Sequence, residues 1–248
     1  MKNPLKVCAL GAAAVALLTL TPLSHATLVY ANNFDSAATV GAGVTASGLT
    51  NGGTGTAAGG PFAGSGGKSW NGSFFNNLSG GVPATESTLT LSNLGAHSHV
   101  SIDFMLGFLN SWDSSNGGVS PDFLDILIDG VLVYQLTTVA AGGTFNDYGG
   151  GTLVVDDGQI DIDQFFTDDL VDMGTAGFLT FAHTASTLTL GIRASGNGWQ
   201  GGPDEYWGID DLRINITGVN VNPMPEPGSL ALLLAAGLAA LAVRRRSN

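Results

Sequence analysis

Apolar and polar residues alternate along much of the central part of the chain. Every second residue from Val100 to Phe108 is apolar, and Thr88–Leu94 places Leu89 and Leu91 on one face. A period of two is typical of a β-strand that buries one face. We therefore predict a strand over each of these two runs.

The segment Phe123–Leu136, FLDILIDGVLVYQL, predicts a β-hairpin. Two runs rich in β-forming residues flank Asp129 and Gly130. Aspartate followed by glycine suits a tight type I′ turn, because both central residues of that turn need a positive φ.

Further short runs complete an all-β pattern. We predict a second strand pair from Gly177–His183 and Thr187–Ile192, with Leu188, Leu190 and Ile192 facing inward, and a last strand through Leu212, Ile214 and Ile216. No segment of the body carries a helical period. Many short strands separated by turns predict a two-sheet jelly-roll β-sandwich.

Two segments depart from this alternation. Gly41–Gly67 is too rich in glycine for a helix, and we expect a long flexible loop with room for one short strand. Val154–Asp172 is acidic, and we expect one short helix within it near Gln164–Val171.

The N-terminus has the organisation of a secretory signal peptide over residues 1–26. Lys2 and Lys6 supply positive charge, Val7–Leu20 is apolar, and Ser24-His25-Ala26 offers small residues at the cleavage position. The alternative is a buried first helix. A Gly-rich, strand-like chain follows at once, which favours the signal peptide.

A second apolar run, Leu230–Val243, lies near the C-terminus and predicts a transmembrane helix. As a helix it would be about 21 Å long, which is short for a bilayer core of about 30 Å, although flanking residues extend it. Arg244, Arg245 and Arg246 follow it and would lie in the cytoplasm. The predicted organisation is thus a sandwich domain over residues 27–218, a linker over 219–224 and a tail over 225–248.

Charge and cysteine content narrow the classes of function. The formal net charge is −12, and away from the two ends only Lys68, Arg193 and Arg213 are basic. Such a body repels phosphates, so nucleic acid is excluded as a partner. The single cysteine, Cys8, lies in the predicted signal peptide, so the body has no disulfide.

The acidic residues suggest a calcium site. The stretch DEYWGIDDL begins with Asp204 and Glu205 and also contains Asp210, while Asp113 and Asp122 flank another loop. Acidic loops that meet at one sandwich edge can supply the six to eight oxygen ligands that Ca²⁺ takes. The alternative is that these acids are ordinary solvated loop residues.

Catalytic motifs are missing from the sequence, which has no His-Glu-x-x-His and no Gly-x-Ser-x-Gly. We assign no catalytic residue and predict that the protein is not an enzyme. Trp199, in the loop SGNGWQGG, is a candidate for stacking on a sugar ring. His97 and His99 form a candidate surface metal pair, with ordinary strand-edge residues as the alternative.

The C-terminus resembles the PEP-CTERM sorting signal of Gram-negative bacteria. Pro225, Glu226 and Pro227, the apolar run and the closing arginines occur in the order of that signal. The resemblance implies cleavage by an exosortase after removal of the N-terminus by signal peptidase. It also implies an inner-membrane intermediate and delivery to the cell surface or extracellular matrix.

The body resembles a group of such proteins with lectin-like β-sandwich domains. The matching stretches are NNFD, NSWDSSNGGVSPDFLDILIDG, FAHTASTLTL and DEYWGIDDLRI. We therefore expect an exported, non-enzymatic protein of the cell envelope or extracellular matrix. The alternatives are a carbohydrate-binding module acting on exopolysaccharide and, third, a secreted glycoside hydrolase that uses carboxylates such as Asp204, Glu205 and Asp210.

Overall fold

The computed structural model describes residues 25–113, 121–138, 146–162 and 166–218. These residues form an all-β protein with antiparallel sheets, as expected for a β-sandwich. The predicted signal peptide up to residue 24, the linker, Pro225, Glu226, Pro227, the transmembrane run and Arg244–Arg246 lie outside the described residues. Within the described ranges, no helix is long and apolar enough to span a membrane.

The larger sheet is built around two long strands, β9 and β16, which pair along almost their whole length. The order of its main path is β12-β13-β9-β16-β1-β2, with β14 on the free part of β9 and with β7 and then β4 on the first part of β16. Its strands are β1 (Ala26–Asn32), β2 (Thr39–Val40), β4 (Gly53–Thr56), β7 (Ser73–Asn77), β9 (His97–Asn110), β12 (Thr152–Gly158), β13 (Asp168–Asp172), β14 (Thr180–Ala182) and β16 (Glu205–Gly218).

The smaller sheet has the order β11-β10-β15-β8-β3. Its strands are β3 (Thr45–Ala46), β8 (Ser87–Ser92), β10 (Phe123–Ile128), β11 (Val131–Leu136) and β15 (Thr187–Ser195), and a separate two-stranded sheet joins β5 (Phe62–Ala63) to β6 (Ser69–Trp70). Asp129 and Gly130 have φ angles of 51° and 77°, as the type I′ turn requires, so the predicted hairpin of β10 and β11 is confirmed.

The main core lies between these two sheets. It joins the inward faces of β9 and β16 to those of β8, β10 and β15 in one hydrophobic cluster. The alternating residues predicted to face inward are buried there: Leu89, Leu91, Val100, Ile102, Phe104, Leu106, Phe108, Leu188, Leu190, Ile192, Leu212, Ile214 and Ile216. Alternation along the chain thus identified the core-facing sides of β8, β9 and β15 and of β16 from Leu212 onward.

A second apolar cluster lies on the other face of the larger sheet. It contains Trp70, Phe74, Met105, Ile160 and Leu170, together with Leu109 and Tyr206. The glycine-rich segment covers part of this face. The expectation of a flexible loop with one short strand was wrong, because Gly41–Gly67 contains β3, β4, β5 and a 3₁₀ turn at Ser65–Gly67.

Close packing explains why glycine is needed in that segment. A Cβ atom on Gly55 would lie 2.3 Å from the Phe74 ring, and one on Gly52 would lie 2.1 Å from the Phe75 ring. Such separations are impossible for real carbon atoms, so the two rings require glycine beside them.

Two further predictions were wrong. The short helix expected near Gln164–Val171 is not formed where the chain is described, because Asp168–Asp172 form strand β13 on the edge of β9; residues 163–165 lie outside the described residues. Gly177–His183 does not pair with Thr187–Ile192 either. Its strand β14 pairs with β9, and β15 pairs with β8 and β10.

The alternation of β16 changes phase at a β-bulge. The register with β9 shifts between Asp210 and Arg213, and Asp211 has a φ of 51°. As a result Ile209 and Leu212, which are three residues apart, both face the main core. One extra residue reverses the faces of a strand, as bulges do.

Candidate metal centre

Three acidic side chains meet at one end of the β9–β16 pair. Glu205 begins β16 and lies opposite Asn110, the last residue of β9. Asp113 follows β9 by three residues, and Asp122 immediately precedes β10. One carboxylate oxygen from each of Asp113, Asp122 and Glu205 lies within 4.8 Å of the other two.

Backbone hydrogen bonds fix the two flanks of this cluster. The Asp122 N–H donates to the Asp113 carbonyl at 2.7 Å, and the Asp113 N–H donates to Asp122 Oδ2 at 2.7 Å. Beside them, the N–H and the hydroxyl of Ser111 both donate to the Asp204 carbonyl at 3.0 Å. These contacts hold the residues after β9 against the residues before β10 and β16.

The loop that precedes β16 positions the Glu205 side chain by a hydrogen bond. The Gln200 N–H donates to Glu205 Oε2 at 2.7 Å. Trp199, the preceding residue, packs against Trp112 with their ring centroids 5.1 Å apart, and the Trp112 indole donates to the Tyr206 carbonyl at 2.8 Å. The packing of these two tryptophans therefore positions the backbone next to Asp113 and the backbone next to Glu205.

Burial makes the cluster electrostatically unfavourable when all three acids are ionised. The side chains of Asp122 and Glu205 are both fully buried. Desolvation by burial raises the pKa of Asp122 to about 8; the hydrogen bond from Asp113 opposes this rise, and the negative charges of Glu205 and Asp113 add to it. Burial also raises the pKa of Glu205, with added repulsion from Asp204 and Asp113. The arrangement favours either a bound proton or a bound cation.

The other two predicted ligands are placed differently. Asp204 is half-buried and adjoins the cluster through its charge, but its carboxylate is not one of the three that converge. Asp210 lies five residues along β16, about 16 Å away in an extended strand. Its carboxylate accepts hydrogen bonds from the N–H groups of Asn71 at 3.0 Å and Asp211 at 2.7 Å, so Asp210 is a poor candidate for this centre.

Trp199 belongs to the main core. It is 5 % exposed, and its indole N–H donates to the Ser79 carbonyl at 2.9 Å. Its proposed sugar-stacking role depended on exposure of the ring. In the observed packing the ring face is covered by Trp112, so stacking on a sugar would require this part of the core to open.

A second acidic group, which sequence reasoning missed, comprises Asp156, Asp157 and Asp169. Asp169 is buried, and its oxygens accept hydrogen bonds from the Tyr148 hydroxyl, the Thr138 hydroxyl and the Asp157 N–H. The adjacent Asp156 and Asp157 were visible in the sequence, but the pairing of β12 with β13 that brings Asp169 to them was not.

The histidines do not form the surface pair suggested by their spacing. His99 is exposed, whereas His97 is buried and its Nε2 lies 2.7 Å from Nδ1 of His183. His97 and His183 come together because β14, just before His183, pairs with β9. The metal pair of His97 and His99 is therefore corrected to a hydrogen-bonded pair of the buried His97 and the partly buried His183.

No family model matches this chain, and no curated protein matches it.

Proposed function

We propose that this chain is an exported, non-enzymatic protein of the cell envelope or extracellular matrix whose body is a structural β-sandwich. The PEP-CTERM-like tail supports sorting by an exosortase, and the N-terminal pattern supports export through signal peptidase. A jelly-roll topology is the finer fold assignment. It is supported by the way the chain passes from β8 in the smaller sheet to β9 in the larger and returns to β10.

The observation that best supports a structural role is the burial of all four tryptophans and the hydrogen bonds that their indole groups make. Trp70, Trp112, Trp199 and Trp207 are all buried. Three of their indole N–H groups donate to backbone carbonyls distant in sequence: Trp70 to Ile160, Trp112 to Tyr206 and Trp199 to Ser79. Buried indoles that donate to backbone carbonyls far away in the sequence tie separate parts of the chain together without disulfides.

Intact-mass measurement of protein from the native host tests export and sorting. We expect a mature mass that lacks residues 1–26 and the segment from about Pro225 onward. Replacing Pro225, Glu226 and Pro227 together by alanine should leave the C-terminal tail in the mass, whereas Met224→Ala, just outside the motif, should not. A wild-type mass that retains residues 230–246 would make the tail a permanent anchor and overturn the sorting proposal.

Carbohydrate binding is the second candidate function, and a surface pocket favours it. The pocket has a volume of about 280 Å³ and is lined by Asn32, Asn33, Ser36, Thr39, Asp211 and Arg213, with Ala31 and Ala37. Amide, carboxylate and guanidinium groups of this kind fix sugar hydroxyls by hydrogen bonds. Exopolysaccharide would then be the ligand of a matrix protein.

A glycan array probed with mature protein distinguishes the two candidates. Binding that is lost in Asn33→Ala and kept in Ser98→Ala, a polar change outside the pocket, would favour the carbohydrate-binding module. If no glycan binds, the structural role stands alone.

A further inference from the structure

We propose that Asp113, Asp122 and Glu205 form a Ca²⁺ site that fastens the two ends of the 113–122 segment to the first residue of β16. This inference stands apart from the sorting proposal, since it concerns only the folded body. The alternative occupant of the cluster is a proton shared between buried carboxylates.

The unmet hydrogen-bonding capacity of Asp122 points to a cation. Asp122 has no exposed surface, and its Oδ2 accepts the Asp113 N–H. Among the described residues, Asp122 Oδ1 has no hydrogen-bond partner. The Glu205 carboxylate lies within hydrogen-bonding reach of the Asp122 side chain, and two ionised carboxylates cannot donate to each other. A buried oxygen in this position costs free energy unless a cation or a proton meets it.

The spacing of the oxygens suits calcium. Ca²⁺ binds oxygens at about 2.4 Å, so two ligands on opposite sides of one ion lie about 4.8 Å apart. The three carboxylate oxygens fall within this limit. Water would supply the remaining ligands, and Mg²⁺ would bind less well because it requires near-ideal octahedral geometry.

A second buried oxygen lies on the same side of the sheet. Asn110 is directly opposite Glu205 in the β9–β16 register, so the two side chains share a face. Asn110 is fully buried, and its Oδ1 has no hydrogen-bond partner among the described residues. An amide oxygen on the face of Glu205 offers a neutral ligand of the type that calcium sites use.

Burial of the cluster favours an ion over a sugar substrate. A glycosidase also needs two carboxylates a few ångströms apart, but both must reach the glycosidic bond. Asp122 and Glu205 have no exposed surface, so a sugar ring cannot contact them in this structure, whereas a single ion fits between them. The same geometry that opposes hydrolysis therefore supports metal binding.

Terbium luminescence tests the site directly, because Tb³⁺ replaces Ca²⁺ and is excited by nearby tryptophan. Trp112 is adjacent to Asp113 in the chain, and Trp199 packs against Trp112. We expect the full-length protein to sensitise Tb³⁺ emission, and Ca²⁺ to displace that emission at lower concentration than Mg²⁺. Calorimetric titration should give one Ca²⁺ per chain at this site, and Ca²⁺ should raise the melting temperature.

Three substitutions locate the ion. Asp122→Asn and Glu205→Gln should each weaken Ca²⁺ binding about tenfold or more, since even outer-shell partners commonly cost 10–100-fold. Asp113→Asn should do the same, and because Asp113 is exposed this variant should fold normally. Glu86→Gln is the control, since it removes a half-buried carboxylate that belongs to neither acidic group.

Two outcomes would overturn the proposal. One is wild-type protein that binds no Ca²⁺ up to about 10 mM, which is beyond the weak range of extracellular modules; a shared proton would then occupy the cluster. The other is an equal loss of binding in Glu86→Gln and Asp113→Asn, which would indicate diffuse charge attraction. Neither outcome would alter the mature mass that tests sorting.

Discussion

Lys68 and Asp172 form a buried ion pair, with Nζ of the lysine 2.9 Å from Oδ1 of the aspartate. The lysine side chain has no exposed surface, and it also lies 2.7 Å from Asp103 and donates to the Ser65 carbonyl at 2.9 Å. Although burial alone would raise the pKa of Asp172, hydrogen bonds from Ser65, Lys68 and Gly174 lower it to about 2. Since Lys68 directly follows the glycine-rich segment, the pair connects the end of that segment to strand β13.

We expect Lys68→Met to lower the free energy of unfolding by about 3–5 kcal/mol, because it leaves the buried carboxylate of Asp172 without its cation. Urea unfolding at neutral pH measures this loss. Glu86→Gln is the control: it removes the half-buried pair of Arg193 and Glu86, whose atoms lie 3.7 Å apart, and should cost about 1 kcal/mol or less. Equal effects of the two substitutions would contradict the role of Lys68.

The second prediction concerns the glycines of the glycine-rich segment Gly41–Gly67. Gly55→Ala should destabilise the protein by about 1–3 kcal/mol, because the new Cβ would lie 2.3 Å from the Phe74 ring. Gly177→Ala meets no atom within 4 Å and should change stability by less than about 0.5 kcal/mol. Denaturant midpoints of the two variants measure the difference. Similar midpoints would mean that the Phe74 ring moves aside without cost.

Sequence patterns predicted the features that depend on local geometry. The inward faces of β8, β9 and β15 follow from alternation, and the hairpin follows from the need for positive φ at Asp129 and Gly130. The strands of the glycine-rich segment were not predictable. Its glycines are required by the rings of Phe74 and Phe75, which come later in the chain and contact the segment only because β4 pairs with β7. Glycine alone does not reveal which ring lies over it.

The candidate metal centre was predicted only in part, because local sequence shows strand ends but not which side chains meet in space. Asp113, Asp122 and Glu205 lie at strand ends, and strand ends of a sandwich meet at a common edge. Asp210 was grouped with Glu205 because the two are close in sequence, but five residues along a strand separate side chains widely. The bulge at Asp211 was also missed, since a positive φ at aspartate leaves no clear mark in the residue pattern.

The third prediction concerns the pair of His97 and His183. His97 Nδ1 lies 2.6 Å from the Gly95 carbonyl, which can only accept, so Nδ1 carries the proton and Nε2 accepts the hydrogen bond from His183 Nδ1. His183→Ala leaves that buried nitrogen unpaired and should cost about 1–3 kcal/mol. His99→Ala, at an exposed position, should change stability by less than about 0.5 kcal/mol.

Nitrogen-15 NMR of the imidazole rings checks the arrangement independently of stability. We expect His97 to be the Nδ1–H tautomer in the neutral state. Detection of the Nε2–H tautomer at His97 would contradict the hydrogen bond to Gly95, whatever the cost of the His183 substitution.

The last prediction concerns the pH dependence of stability that arises from Asp210. Desolvation by burial raises the pKa of this carboxyl from 3.8 to about 7; hydrogen bonds from Asn71 and Asp211 oppose the rise, and the charges of Asp211 and Asp35 add to it. Between about pH 4 and pH 7 the native carboxyl keeps its proton while the unfolded one has lost it. The stability that this group contributes is therefore present below about pH 4 and is lost as the pH rises through about 7.

Asp210→Asn should remove that contribution, because the amide keeps an acceptor for the Asn71 N–H and does not ionise. Urea unfolding in EDTA should show the free energy of the wild type falling more steeply with pH than that of the variant, by up to about 1.4 kcal/mol per pH unit within this window. EDTA keeps calcium from masking the effect, and Asp122, whose raised pKa acts in the same direction, is common to both proteins. Asp156→Asn, which removes an exposed carboxylate, is the control for the change in net charge. If the Asp210→Asn profile ran parallel to that of the wild type, the carboxyl would be ionised in the native protein, and the hydrogen bonds from Asn71 and Asp211 would outweigh its desolvation.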